Sequence, residues 1–252
     1  MYISDDAILK MERTRAKLEQ NVKDKGVEVT EGEDMNTLVN KVREIGYNDV
    51  MRSILDGSIE EYVDEEIIDL RTRAFGDCKK LQKAVIPNVS NVGTSIFTNC
   101  SALTEVDLSG LVTLSATLFQ SCTSLPEIVL NNIVSCNTSN SGSTFSDCTI
   151  LKRVSFLGML TFQISSSMFQ NCNTLDTLVF GQDCSLGNIT GLNGIPKVKT
   201  GECFFYFPKS LVEKKKTDTN WSTFADLIRA IEDYPEVLEW AVKNGYISES
   251  EE

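Results

Sequence analysis

A seven-residue phrase, Phe-x-x-Cys-x-x-Leu, occurs five times in this chain of 252 residues. The copies are Phe75-Cys78-Leu81, Phe97-Cys100-Leu103, Phe119-Cys122-Leu125, Phe145-Cys148-Leu151 and Phe169-Cys172-Leu175, with successive cysteines 22, 22, 26 and 24 residues apart. Each copy leads into an apolar–x–apolar pair: Ala84/Ile86, Val106/Leu108, Ile128/Leu130, Val154/Phe156 and Leu178/Phe180. A fixed period of roughly 20–29 residues marks a repeat whose single unit cannot bury its apolar side alone and must stack on its neighbours. The expected fold class is an α/β repeat solenoid. Such a scaffold presents surfaces rather than a fixed chemistry, so the period by itself names no ligand.

Within a turn, Phe, Cys and Leu three apart suit a short helical or 3₁₀ segment with one buried edge. The apolar–x–apolar pair suits a strand whose alternate side chains face inward. Strands of successive turns then stack into a parallel sheet. Its outward positions form a column of Val85, Glu105, Asp107, Glu127, Val129, Arg153, Ser155, Thr177 and Val179. That column is the expected binding face, and an ordinary solvated sheet face explains it equally well. The 26-residue interval holds an Asn- and Ser-rich insertion at 137–143, which reads as a projecting loop. Loops on a rigid scaffold carry recognition in many proteins, and a plain polar insertion accounts for the same residues.

The eight cysteines do not look like a disulfide framework. Equivalent positions in stacked turns sit about 4.8 Å apart, and a continuous column of five thiols cannot be paired off completely. They read as buried small residues that fill the turn and weakly hydrogen-bond the backbone. Cys136, Cys184 and Cys203 lie outside the phase. With no Cys-x-x-Cys and no histidine, a zinc site has little to build on, and no metal or other cofactor is expected.

The chain carries 24 basic and 36 acidic residues, a formal net charge of −12. Nucleic-acid binding needs a basic footprint, so that partner class is excluded. Residues 84–151 contain no Lys or Arg and are rich in Ser, Thr and Asn, which suits contact with a neutral surface or another protein. No apolar stretch approaches the roughly 20 residues of a membrane span. The opening Met-Tyr-Ile-Ser-Asp-Asp has no apolar core and is not read as a secretory signal, so the expected place of synthesis is the cytoplasm. Without histidine, Ser–His and Cys–His nucleophile pairs are excluded, and no Gly-rich phosphate loop follows a strand. A carboxylate pair for glycoside hydrolysis stays open in composition, but nothing sets two carboxylates across a cleft. The chain is expected not to be an enzyme.

Three regions are expected. Residues 1–55 form an N-terminal helical attachment module. Its first helix spans 4–24, with Ser4 at its start, Asp5 and Asp6 at the positive end of its dipole, and an apolar stripe of Ile8, Met11, Leu18 and Val22. Arg15 breaks that stripe, which favours docking over a coiled coil. A short strand at 27–29 and a second helix at 34–45 follow. Residues 56–190 form the solenoid. The six acids of 56–66 read as a solvated face, since no calcium loop is present, while Ile59 and Tyr62 enter the first sheet position. Residues 191–252 form a C-terminal cap: a closing strand at 203–207, a turn at Pro208, a solvated Lys214–Lys216 triplet, and helices at 222–232 and 235–244.

The run Phe97-Thr-Asn-Cys-Ser-Ala-Leu-Thr-Glu-Val-Asp-Leu108, with Ala74-Phe75-x-x-Cys78-x-x-Leu81, resembles the leucine-rich repeats of the Bacteroides surface-antigen type, called BspA-like, over about residues 67–181. Ala84, Phe156 and Phe180 depart from that pattern at inward positions, and only Ile86-Pro87 keeps the proline. The resemblance implies a leucine-rich-repeat solenoid and a role in adhesion to host proteins and cells. Two flanking segments resemble proteins of another setting. Ile8-Leu-Lys and Lys25-Gly-Val-Glu-Val29, followed by Leu38-Val-x-Lys-Val-Arg-Glu-Ile45, are similar to the N-terminal module of tail-fibre, baseplate and related virion proteins of phages of gram-positive bacteria. Phe207-Pro-Lys-Ser-Leu-Val and Thr219-Asn-Trp-Ser222 are similar to the closing segment of repeat proteins from that setting. Trp240-Ala-Val-Lys-Asn-Gly-Tyr-Ile247 is similar to a fragment of S-layer-homology modules over eight residues only. The flanks imply a virion protein that contacts other virion proteins through its N-terminal helices and a host cell-surface protein or glycan through its repeats, with self-association as a further option. A bacterial surface adhesin and a purely architectural spacer are the alternatives.

Overall fold

The computed structural model describes residues 15–16, 19, 23, 28–30, 33–34, 37–38, 40–41, 52–136, 142–158, 164–181 and 189–246. Most of the expected 4–24 helix, the end of the second helix, Cys184, Ile247 and all but residues 142 and 143 of the expected loop lie outside them. The chain divides into two compact units, 1–56 and 57–252.

In the first unit, Asp34 starts a helix as its sequence position suggests. Its carboxylate accepts from the Thr37 backbone N–H at 3.1 Å and from the Thr37 hydroxyl at 2.6 Å. This satisfies donors that the helix itself leaves unpaired. Leu38, one residue on, is fully buried. Residues 28–30 are not in a strand, which corrects the expected strand at 27–29.

The second unit is built on the repeat. Its strands are β1 (Glu61–Val63), β2 (Asp69–Leu70), β3 (Lys83–Val85), β4 (Asn91–Val92), β5 (Glu105–Asp107), β6 (Thr113–Leu114), β7 (Glu127–Val129), β8 (Ser135–Cys136), β9 (Arg153–Phe156), β10 (Thr177–Phe180), β11 (Phe204–Phe207) and β12 (Ile228–Ala230). All pairs are parallel, as a chain that returns to the same side once per turn must make them. β1, β3 and β5 form one sheet, and β7, β9, β10, β11 and β12 form a second. Short pairs β2–β4 and β6–β8 tie successive turns together elsewhere. Tyr62 enters the first sheet position in β1 as expected, its ring 4.8 Å from that of Phe75, whereas Ile59 is buried but precedes the strand.

The phrase residues line the interior. Phe75, Phe97, Phe119, Phe145 and Phe169 stack with ring centroids 5.4, 5.5, 5.6 and 5.3 Å apart, and all are buried. Leu81, Leu103, Leu125, Leu151 and Leu175 are fully buried beside them. The cysteines form the expected column. Cys78, Cys100, Cys122, Cys148 and Cys172 are buried thiols that form no disulfide. Each of the last four donates to a phenylalanine carbonyl of the preceding turn: Cys100 to Phe75, Cys122 to Phe97, Cys148 to Phe119 and Cys172 to Phe145, at 3.0–3.1 Å. The thiol is small enough to fit under the next turn and polar enough to satisfy a buried carbonyl.

The Phe-x-x-Cys-x-x-Leu segment is not a helix. Its amides do bond three residues back, Cys78 to Phe75 and Leu81 to Cys78 at 3.1 Å. A left-handed residue stands between Phe and Cys in every turn: Asp77, Asn99, Ser121, Asp147 and Asn171, with φ between 60° and 68°. That conformation cannot be carried into a right-handed helix, so the segment is a series of turns. The Ser, Thr and Asn richness also acquires a structural role. Thr104, Ser115, Thr123 and Thr174 hydroxyls donate to carbonyls one turn back, as do the Asn88 and Asn132 amides.

Beyond the repeats, β11 forms as expected, and Trp221 meets Phe180, Phe205 and Phe207 edge-on. The expected 222–232 helix is corrected: residues Ser222–Leu227 are 3₁₀, and Ile228–Ala230 is strand β12 on the edge of β11. The Lys214–Lys216 triplet is also corrected. It lies in a helix, Val212–Thr217, with Lys215 buried and its ammonium 5.8 Å from the Phe207 ring centre.

Two outcomes follow from this packing. Phe119→Ala removes the middle ring of the stack and should cost about 3–5 kcal/mol, read by urea denaturation. Burial pushes the Cys100 and Cys148 thiols up to about 12 and the Cys122 thiol well above its ordinary value. Because the folded state holds these protons more tightly than the unfolded chain, the stabilisation is complete below the ordinary thiol value of 9.0 and is lost as pH rises through the folded values. Unfolding midpoints should therefore fall steeply above about pH 9, and a thiol reagent at pH 8 should label the column only after unfolding.

Candidate binding face

Alternation along each strand sends one residue inward and its neighbours outward. Ala84, Ile128, Val154 and Leu178 face the core and are buried. The outward positions separate into two sets. Glu105 and Glu127 are exposed, and Val85 and Asp107 are half-buried. Glu105 reaches Lys83 of the preceding turn at 2.5 Å and holds the lysine ammonium above its usual value. The Asp107 carboxylate accepts from the Ser109 backbone N–H at 3.0 Å.

The second set is covered. Ser155 and Val179 have no exposed surface and Thr177 is buried. The helix Pro235–Lys243 lies on them. Its Val237, Trp240 and Ala241 pack with Val179, Tyr206 and Leu157, and Val129 borders the same cluster. The Arg153 guanidinium sits 5.8 Å from the Trp240 ring centre. Pro235 fixes the start of this helix and Gly245, at φ 96°, follows its end, as the sequence suggests. The Tyr246 hydroxyl donates to Glu232 at 2.7 Å, and the Asn131 amide donates to the Asn244 carbonyl. Ser155, Thr177 and Val179 are thus corrected from a free face to an internal interface. An apolar helix stripe and the apolar column Val129, Val179 and Tyr206 each needed a partner, and that shared need was the available signal.

Two buried polar atoms of this interface, Ser155 Oγ and Trp240 Nε1, have no hydrogen-bond partner. Each such group costs about 1–3 kcal/mol, a penalty that the apolar packing of the helix offsets. Among the described residues no group of three or more His, Cys, Asp or Glu is arranged to hold a metal ion, and no helix is long and apolar enough to cross a membrane. Trp240→Ala should remove about 3–5 kcal/mol of packing and loosen this helix ahead of the repeats. Binding of a hydrophobic dye without loss of the far-ultraviolet spectrum would record it.

The family comparison agrees with the repeat. Residues 68–191 match the family model for the BspA type leucine rich repeat region, in six copies. The match does not extend to the terminal segments, and the comparisons lend no support to their expected resemblance to virion proteins. A leucine rich cell surface protein from Faecalibacterium prausnitzii, known from its crystal structure, is 26% identical, with a TM-score of 0.44 and 54% of this chain covered. The match spans 35% of that protein's length, about a third of it. A leucine rich repeat protein from T. pallidum is 23% identical over 52% of this chain and 73% of its own, with a TM-score of 0.35. No curated protein matches the chain. Over residues 68–191 the chain is similar to the leucine-rich repeat regions of the BspA type.

Proposed function

We propose that this chain is a non-enzymatic binding protein that holds a protein partner on the uncovered part of its outward sheet, from β3 to β7. One observation carries the reading. The C-terminal helix takes up the outward residues of β9 and β10, whereas Glu105 and Glu127 project to solvent. Leucine-rich repeats serve protein binding in general, and the chain has no histidine with which to build a nucleophile–base pair.

The setting is a second part of the proposal. The terminal segments motivate a phage virion component, on a tail fibre or baseplate, attached through its N-terminal helices and turning its solenoid toward a host protein or glycan. Adhesion, with which BspA-like repeats are associated, motivates the alternative of a bacterial surface adhesin. Recovery in purified particles supports the first; recovery in a cell-surface fraction supports the second.

Charge reversal tests the face. Glu105→Lys with Glu127→Lys should weaken attachment of the labelled chain at least tenfold, while Glu66→Lys should leave it unchanged. Unchanged attachment by the double variant, with its fold intact, would make the solenoid a spacer instead.

A further inference from the structure

The front sheet is interrupted in one place. Among the described residues no backbone hydrogen bond joins β5 to β7, although these strands belong to consecutive turns. The cause is legible in the chain. Just before each front strand, an N–H reaches back one turn: Gln82 to the Glu60 carbonyl at 2.7 Å, Thr104 to Gln82 at 2.9 Å, Lys152 to Pro126 at 2.7 Å and Asp176 to Lys152 at 3.1 Å. The remaining equivalent residue is Pro126, which has no N–H to give. Two later rungs go with it. Glu105 bonds to Gln82 and Ile86 to Asp107, but their equivalents, Glu127 to Thr104 and Leu108 to Val129, are not made.

Behind this gap the turns stay stacked. Phe97 and Phe119 remain 5.5 Å apart and β6 still pairs with β8. The strands therefore part only at the front, where they leave a cleft of about 400 Å³. Its walls include Thr104, Val106, Glu127 and Val129, and Lys243 and Asn244 stand at one side. The cleft is rich in acceptors, the carboxylates of Glu105, Asp107 and Glu127. Lys243 is the cation among its lining residues, and Lys83 is already held by Glu105.

A ligand for this place must bring donors and positive charge, and must offer groups that strand edges can bond. A polypeptide in extended form does all three. We propose that the β5–β7 seam is a docking site for an extended, lysine- or arginine-rich segment of a partner protein. The segment bonds the parted strand edges through its backbone and sets its cations against Glu105, Asp107 and Glu127. This rests on the reading of the uncovered face as the binding face and names the partner chemistry it takes.

The test uses a labelled alternating Lys-Val octapeptide, with a Glu-Val octapeptide and a neutral oligosaccharide for comparison, titrated against the full chain by fluorescence anisotropy. Pro126→Thr restores the missing N–H and copies Thr104, so it should close the seam. The Lys-Val peptide should bind. Pro126→Thr and the Glu105→Gln/Glu127→Gln pair should each weaken it at least tenfold, and Glu66→Gln should not. Hydrogen exchange gives a second measure that needs no variant: the Leu108 and Glu127 amides should exchange fast in the free protein and slow when the peptide is added. Slow exchange at both amides in the free protein, affinity indifferent to a folded Pro126→Thr variant, or preference for the oligosaccharide overturns the proposal. If the seam fails in this way while attachment still responds to charge reversal at Glu105 and Glu127, the face stands and only the seam falls.

Discussion

Like meets like between neighbouring turns, and the rest of the repeat region depends on that. A phenylalanine ring in one turn has no apolar environment of its own. It becomes buried because another ring lies about 5.5 Å above it and another below. The thiol that follows three residues later closes the same contact from the polar side, by donating to the carbonyl of the ring-bearing residue one turn back. Burial and backbone satisfaction are thus solved by two side chains at fixed spacing, and the solution can be copied turn after turn.

The departures from this copying are informative. Where the pattern holds, the front strands pair and their hydroxyl and amide side chains add bonds between turns. At Pro126 a single missing N–H parts two strands without disturbing the ring stack behind them, because the stack and the sheet are separate sets of contacts. Farther along, Val129, Val179 and Tyr206 make the outward face apolar, and the chain folds its own helix, Pro235–Lys243, over it. The outward sheet is therefore two surfaces. One is sealed, and one is acidic and open.

Much of this was readable from the sequence. The period, the inward pairs and the thiol column follow from residues that recur at one phase, and they lie where that phase puts them. The helix after Pro235 was readable too, from Val237, Trp240 and Ala241 on one side and Gly245 beyond its end. What was not readable depended on distant partners. Ile228-Arg229-Ala230 fits either a helix or a strand by spacing, and the open edge of β11 decides for the strand. Ser155 and Val179 sit at ordinary outward positions of their strands, and only the distant helix that begins at Pro235 covers them. Pro126 was visible, but its effect appears only when its equivalents in other turns are seen to donate. Left-handed Asp77 and Asn99 break what Phe, Cys and Leu spacing suggests is a helix, since spacing by three is common to helices and to consecutive turns.

The central claim is that five sulfurs stand in a row inside stacked turns. Anomalous scattering from native crystals, recorded at a long wavelength, locates sulfur atoms without reference to any atomic arrangement. The account predicts a line of five peaks for Cys78, Cys100, Cys122, Cys148 and Cys172, with neighbours spaced by one turn, about 5 Å. Peaks merged in pairs at the roughly 2 Å of a disulfide, or scattered through the molecule, would contradict it.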